Sequence, residues 1–297
     1  MTQLIQPDKR AIAVGELFKV NKKLMLGVVP RVVDPARIYM VALNAVIYNN
    51  ELLECFGTKV GAISVIGGCM EAMKLGVEIG GALGESWLIP FNDRRAGCKI
   101  AVFIVGYKGM RSIAARSGHV LDLMANAVFE GDEYDFQEGD SPYIRHKPAR
   151  GTPHEPDNLI AVYAVAHLPR GGKQMRWVWR EEVDKHRARS RAAQTGQSPW
   201  QTDYVPMALK TAVRIIWPFL PRSADMARVE RLEDQADRGE PQVFDVTELL
   251  LPAALKEPEG PPATAMEQLK DGLRKDPAVP PTVDEIPWGG GGSSGPA

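Results

Sequence analysis

Hydrophobic and polar positions divide the chain into segments of two periods. Ile100 to Val105 is an unbroken apolar run of strand length, closed by Gly106. Directly after it the period becomes helical. At about 100° per residue, Lys108, Arg111, Ser112, Ala115 and Arg116 share one side, Met110, Ile113, Ala114 and Ser117 the other, and Gly118 supplies the stop. A buried strand thus delivers a short helix whose solvent face carries Lys108, Arg111 and Arg116, with Tyr107 at its start and no acid to neutralise them.

The same criteria place the other elements. Asp34-Pro35 reads as the cap and first turn of a helix reaching about Cys55. Thr58 caps a second helix that stops near Gly76, and its small residues (Gly61, Ala62, Gly67, Gly68, Ala72) predict close packing. Ser86–Phe91 and Lys99–Val105 read as a hairpin whose tip carries Arg94 and Arg95. Leu121–Phe129 predicts a strand, and the acidic segment 131–140 a turn and short strand. Leu159–Leu168 and Lys173–Trp179 read as a second hairpin, with Arg170 at its tip. In its second strand Met175, Trp177 and Trp179 share one face and Arg176 and Arg180 the other, which predicts a half-buried sheet with arginines on its open side. Residues 180–193 read as a basic helix. The last helix, about Pro206–Trp217, is apolar around most of its circumference, with Lys210, Thr211 and Arg214 as one narrow polar stripe. Two cations on an otherwise buried helix require a groove, a partner or an internal salt bridge, and the groove is the expectation carried forward.

Charge sharpens this picture. The chain has 297 residues and a net charge of −1. Residues 145–231 hold 16 Lys/Arg against 8 Asp/Glu, whereas residues 232–297 hold 5 against 13. A basic block followed by an acidic Pro/Gly-rich tail fits a nucleic-acid-binding protein. The expected organisation is a partly ordered segment 1–33, a core 34–231 and a largely disordered tail 232–297, with helical turns at 246–255 and 265–273. The polar start, MTQLIQPDKR, predicts no signal peptide, and no apolar run is long enough to span a membrane, so a cytoplasmic location is expected. Cys55, Cys69 and Cys98 are widely spaced, as buried thiols of a reducing compartment would be.

Catalytic chemistry does not emerge. Gly80, Gly81 and Gly84 do not form a dinucleotide fingerprint. PRGGKQ (169–174) lacks the first glycine of a phosphate loop and has Gln174 where a hydroxyl would hold magnesium. Asp157 is followed by no acid-x-Lys triplet of a nuclease, and His119, His146, His154, His167 and His186 are scattered. No enzyme activity, cofactor or metal is expected.

The runs GALGESWLIPF, IVGYKGMRSIAARSG, FEGDEYDF, YAVAHLPRGG and PWQTDYVPMALKTAVRIIWPFLP, in this order, span roughly residues 35–225. Together they resemble the RecT family of phage-type single-strand annealing proteins. The resemblance implies an ATP-independent recombinase that coats single-stranded DNA and anneals it to a complementary strand, as rings or helical filaments. It implies a 5′→3′ exonuclease and host single-stranded-DNA-binding protein as partners. The implied fold is α+β: a mixed annealing fold with a β-hairpin and antiparallel sheet packed on helices. By position, Tyr107, Lys108, Arg111 and Arg116 correspond to the family's GYKGM…ARSG motif, and Lys210, Thr211 and Arg214 to its KTA-x-R motif. Ile216-Trp217 stand where many members carry a basic sequence, so one family cation is lost there.

Annealing requires the backbone to be held while base edges stay free, which sequence-independent phosphate contacts achieve. The two stripes, Lys108/Arg111/Arg116 and Lys210/Arg214, are expected to form opposite walls of one phosphate track. Arg176, Arg180, Arg94, Arg95, Arg170 and Lys173 are second-rank candidates. Tyr107 and Trp200 are candidate base-stacking residues, with core packing equally open for Trp200. Val283–Trp288 resembles the acidic, aromatic-ended tip of bacterial single-stranded-DNA-binding proteins; it either competes for their sites, masks the groove or merely solubilises. A passive coat protein is the alternative reading, and a magnesium-dependent nuclease the third.

Overall fold

Nine α-helices and seven strands make up the part of the chain that the computed structural model describes, residues 9–151, 153–190, 193 and 198–244. Helices α1 (Lys9–Gly27), α2 (Pro35–Ile47), α3 (Asn50–Cys55) and α4 (Lys59–Leu75) lead into strands β1 (Ser86–Asp93) and β2 (Cys98–Val105). Next come α5 (Tyr107–Arg116), β3 (Asp122–Phe129), β4 (Glu133–Gln137), β5 (Tyr143–Lys147), β6 (Leu159–His167) and β7 (Lys173–Trp179). Helices α6 (Arg180–Arg189), α7 (Pro199–Thr202), α8 (Tyr204–Ile216) and α9 (Ala224–Arg238) complete the described chain. The pairings are antiparallel: β1–β2, β3–β6–β7 and β4–β5. This is the expected α+β mixture. No helix among the described residues is long and apolar enough to cross a membrane.

The caps follow from the sequence. Asp34 accepts from the amides of Ala36 and Arg37, and Thr58 from that of Gly61. Gly76 closes α4 in the left-handed region at φ 61°, a conformation open to glycine. The single helix expected to Cys55 is in fact two. Asn49 stops the first and caps the second, its side chain accepting from Glu51 and Leu52 amides. The small residues of α4 serve close packing: a Cβ on Gly61 would lie 2.5 Å from the Lys99 carbonyl oxygen of β2. Residues before 34 contribute more than expected, because α1 buries Val14, Leu17, Phe18 and Met25.

The three-stranded sheet separates two layers. One face, with Leu123, Val162, Ala164 and Val178, packs on the main core and α8. The other, with Ala161, Tyr163 and Trp177, is partly covered by the β4–β5 hairpin, which the sequence reading missed beyond its first strand. Phe136 stacks on Trp177 with ring centroids 4.3 Å apart. The sheet therefore has no open arginine face. Arg176 lies on the α8 side, with its guanidinium 4.5 Å over the Phe219 ring.

Order also extends beyond residue 231. Helix α9 runs to Arg238 because Met226, Val229 and Leu232, spaced by three, all point into the core. The chain then doubles along β2. The otherwise free edge of that strand is sealed by side chains: Ser64 accepts from the Ala101 amide at 2.8 Å, Gln242 from Phe103 at 2.8 Å and Glu233 from Val105 at 2.7 Å. The expected tail from 245 onward, with its helical turns and Val283–Trp288 tip, lies outside the described residues.

Candidate nucleic-acid interface

Helix α5 grows directly from the end of β2, with Gly106 between them. The Gly106 amide donates to the Glu85 carbonyl at 2.8 Å. Glu85 is a hub: its carboxylate accepts from the Ser112 hydroxyl at 2.7 Å and from the Glu78 amide at 3.1 Å. These bonds clamp the glycine loop 80–84 beside the first turn of α5. Glycine is required at 106 because the Trp87 ring lies where a Cβ would stand. Trp87 is 41% exposed, and its ring and the Lys108 stem both lie within 4.0 Å of where a Cβ on Gly84 would stand. Sequence patterning gave no reason to single out Trp87, which reads as one more residue of a strand.

The expected cations divide sharply. Lys108 is exposed and enters no ion pair among the described residues. Arg111 is exposed and sits 2.9 Å from Asp122 at the start of β3. Arg116 is exposed as well, but its guanidinium caps α4, donating to the carbonyls of Leu75 (2.5 Å) and Gly76 (3.0 Å). Desolvation there lowers its pKa. Tyr107 is half-buried and packs against the core.

The KTA-x-R stripe departs most from expectation. Lys210 is buried, and its ammonium lies 2.5 Å from the carboxylate of Glu233, itself buried. Thr211 donates back to the Met207 carbonyl at 3.0 Å. Arg214 is clamped by Asp234 at 3.0 Å and by Asp237. Burial works against the charge of Arg214, but the carboxylates of Asp237 and Glu233 outweigh it and raise its pKa. The stripe therefore faces α9, and its cations do not stand open as the second wall of a track. The internal salt bridge is what tolerates them. Trp200 is a core residue, 5% exposed, packed edge-on to Tyr204 with centroids 6.1 Å apart, so no base can stack on it. Arg180 is spent on structure: it donates to the Asp157 carbonyl at 2.6 Å. Arg176 is held between Phe219 and Glu138.

Arg94, Arg95, Arg170 and Lys173 do stand at exposed hairpin tips, without ion pairs among the described residues. The β6–β7 tip lies beside α5. Asp122, the partner of Arg111, is in register with His167, and His167 with Lys173, one row across three strands. At about 4.8 Å per strand that row spans roughly 10 Å. Arg170, adjoining it, is exposed and is the single non-glycine residue with positive φ (63°) among the described residues. Arg111, through Asp122, and Lys173 thus lie along one row, with Arg170 next to it at the tip and Lys108 one turn before Arg111 on α5. Arg94 and Arg95 sit at the opposite end of the β1–β2 hairpin, about 25 Å from α5 by strand length.

Among the described residues no group of three or more His, Cys, Asp and Glu side chains is placed to hold a metal ion. Cys55 and Cys69 are buried, and burial pushes the Cys55 thiol up to about 12 and raises that of Cys69 as well, which disfavours the reactive thiolate at both.

Comparison with known proteins places this arrangement. The chain is 32% identical over 216 residues to protein RecT of Escherichia coli K12, covering 72% of this chain and 77% of that protein. It is 26% identical over 192 residues to the uncharacterized protein YqaK of Bacillus subtilis 168, covering 64% and 61% respectively. The RecT family profile matches residues 41–246, which run from α2 to just past the Gln242 clasp on β2. Both cation-bearing motifs and the helix that pairs with the second of them lie inside that span, and the chain belongs to the RecT family of single-strand annealing proteins.

Proposed function

We propose that this protein binds single-stranded DNA by its phosphates, coats it as an oligomer and, without ATP, promotes its pairing with a complementary strand in phage-type recombination. Family membership supports annealing as the activity. The observation that carries the binding site is the strip of Lys108, Arg111, Arg170 and Lys173, in which only Arg111 is countered by an acid. Point cations on an exposed helix face and a hairpin tip contact phosphates without reading base edges. Bases left unread are free to pair, which annealing demands. Exposed Trp87, which with the Lys108 stem borders Gly84, offers one ring for a sequence-tolerant stack. A 5′→3′ exonuclease that generates the single strands, and host single-stranded-DNA-binding protein, are the proposed partners in the bacterial cytoplasm. The protein acts as a binder rather than a catalyst.

A salt titration tests the site. Each phosphate neutralised on a single strand contributes a slope of about −0.7 in log affinity against log salt, so four cations give about −3. Replacing Lys108 and Lys173 with Ala is expected to weaken binding to every oligonucleotide sequence alike and to reduce the slope by about 1.4. Unchanged affinity and slope would show that the strip does not hold DNA.

A further inference from the structure

The corner between α6, α8 and α9 holds a cavity of about 330 Å³, lined among others by His186, Ser190, Trp200, Lys210, Arg214 and Asp237. Its wall carries the two cations of the KTA-x-R stripe, each already engaged by acids of α9, though in different ways. Glu233 is buried and committed on both oxygens, one to Lys210 at 2.5 Å and the other to the Val105 amide at 2.7 Å. Asp234 and Asp237 are about half exposed, at 46% and 48%, and each is paired with Arg214. Two carboxylates of like charge on one guanidinium repel each other, and both return to water at little cost when displaced. The helix that carries them is fixed. Arg228 lies 2.6 Å from buried Glu71 on α4, and Gln242 makes two hydrogen bonds to the Phe103 backbone, each 2.8 Å. Only the two aspartate side chains need to move.

A carboxylate on a guanidinium fork matches a phosphodiester in its single negative charge and its pair of acceptor oxygens. We propose that Arg214 is a phosphodiester subsite which the protein keeps closed with its own acids: Asp234 and Asp237 stand in for a backbone phosphate until DNA takes their place. Lys210 does not open with it, since its partner is locked to β2. The closed state keeps a partly buried arginine from gathering stray anions, and it makes the subsite available only to a polyanion already concentrated on the surface by other contacts. The inference rests on the proposal that the chain binds single-stranded DNA.

The test compares the wild type with Asp234→Asn/Asp237→Asn, alone and combined with Arg214→Ala, in single-stranded DNA binding across a salt series, with melting temperature as a control for folding. Asparagine keeps the side-chain volume and removes the charge. The double variant is expected to bind several-fold more tightly, with a slope steeper by about 0.7, one phosphate more. Adding Arg214→Ala is expected to return both to the wild-type level. Where the double variant melts early, Asp237→Asn alone carries the same comparison. Affinity and slope equal to wild type in a folded variant overturn the subsite. So does a tightening that survives Arg214→Ala, because it then reflects only the loss of negative charge. A wild type that does not bind single-stranded DNA at all overturns the binding proposal itself, which is a separate outcome.

Discussion

The Lys210 ammonium and the Glu233 carboxylate meet 2.5 Å apart, with side chains 10% and 2% exposed, and the second Glu233 oxygen takes the Val105 amide. One acid thus ties α9 to α8 and seals the last amide on the free edge of β2. Removing one member of such a pair strands a buried charge. Lys210→Ala is therefore expected to cost about 3–5 kcal/mol, and Lys210→Met with Glu233→Gln distinctly less, since glutamine still accepts from Val105. Chemical denaturation of the three proteins checks this; equal losses in single and double variants would contradict a buried pair.

Arg116 separates structure from binding within one helix. It donates to the carbonyls of Leu75 and Gly76 at the end of α4. Arg116→Gln is expected to lower stability by about 1–3 kcal/mol through those lost charge-assisted bonds. The salt dependence of DNA binding should stay as in the wild type, in contrast to the Lys108 variant. A slope reduced by Arg116→Gln in a folded protein would put this residue back among the DNA contacts.

Trp87 offers a test of stacking. Base stacking on an aromatic ring is worth about 1–3 kcal/mol by alanine substitution, so Trp87→Ala is expected to weaken single-stranded DNA binding by roughly that amount with little change in salt slope. Fluorescence quenching of the wild type by oligonucleotide reports the same contact. Trp177, Trp200 and Trp217 are buried and respond less, whereas Trp179 is as exposed as Trp87, so the loss of quenching in Trp87→Ala identifies the contact.

The β4–β5 hairpin is docked by a pH-sensitive contact. Asp132, with its side chain 1% exposed, accepts from the amides of Phe129 and Ala149, each at 2.8 Å, and lies 3.0 Å from His146. Burial opposes its charge, but these partners outweigh it and hold its pKa below the ordinary value. An acid with a depressed folded pKa adds stability that is complete above the unfolded value, about 3.9, and is lost as pH falls through the folded one. Asp132→Asn is expected to cost about 1–3 kcal/mol near neutral pH, a difference that shrinks below about pH 4. A cost independent of pH would show that the charge of Asp132 contributes nothing.

Local chemistry explains which parts of the fold are legible in the sequence. Asp34, Thr58 and Gly76 mark helix ends because each satisfies backbone groups within its own turn. Both long hairpins follow from alternating or continuous apolar runs around polar tips. Strand β5 is harder to see: only Ile144 and His146 of its five residues turn toward the sheet, too few for a period. Helix α9 straddles the point where composition turns acidic, so the expected boundary at 231 cuts its apolar spacing between Val229 and Leu232. The site was legible in part. Lys108 and the hairpin tips are exposed cations as patterning requires, whereas Arg116, Lys210 and Arg214 are consumed by partners distant in sequence. Periodicity places a side chain on a face; it does not say what that face meets.

The central claim is annealing, and it is most directly measured as the rate of duplex formation between two complementary oligonucleotides, each short enough and dilute enough to pair slowly alone. With the protein present and no nucleotide added, the account predicts markedly faster pairing, with the Lys108→Ala/Lys173→Ala variant close to the protein-free rate. Tight binding of single strands with pairing no faster than in the absence of protein would contradict it and leave a passive coat.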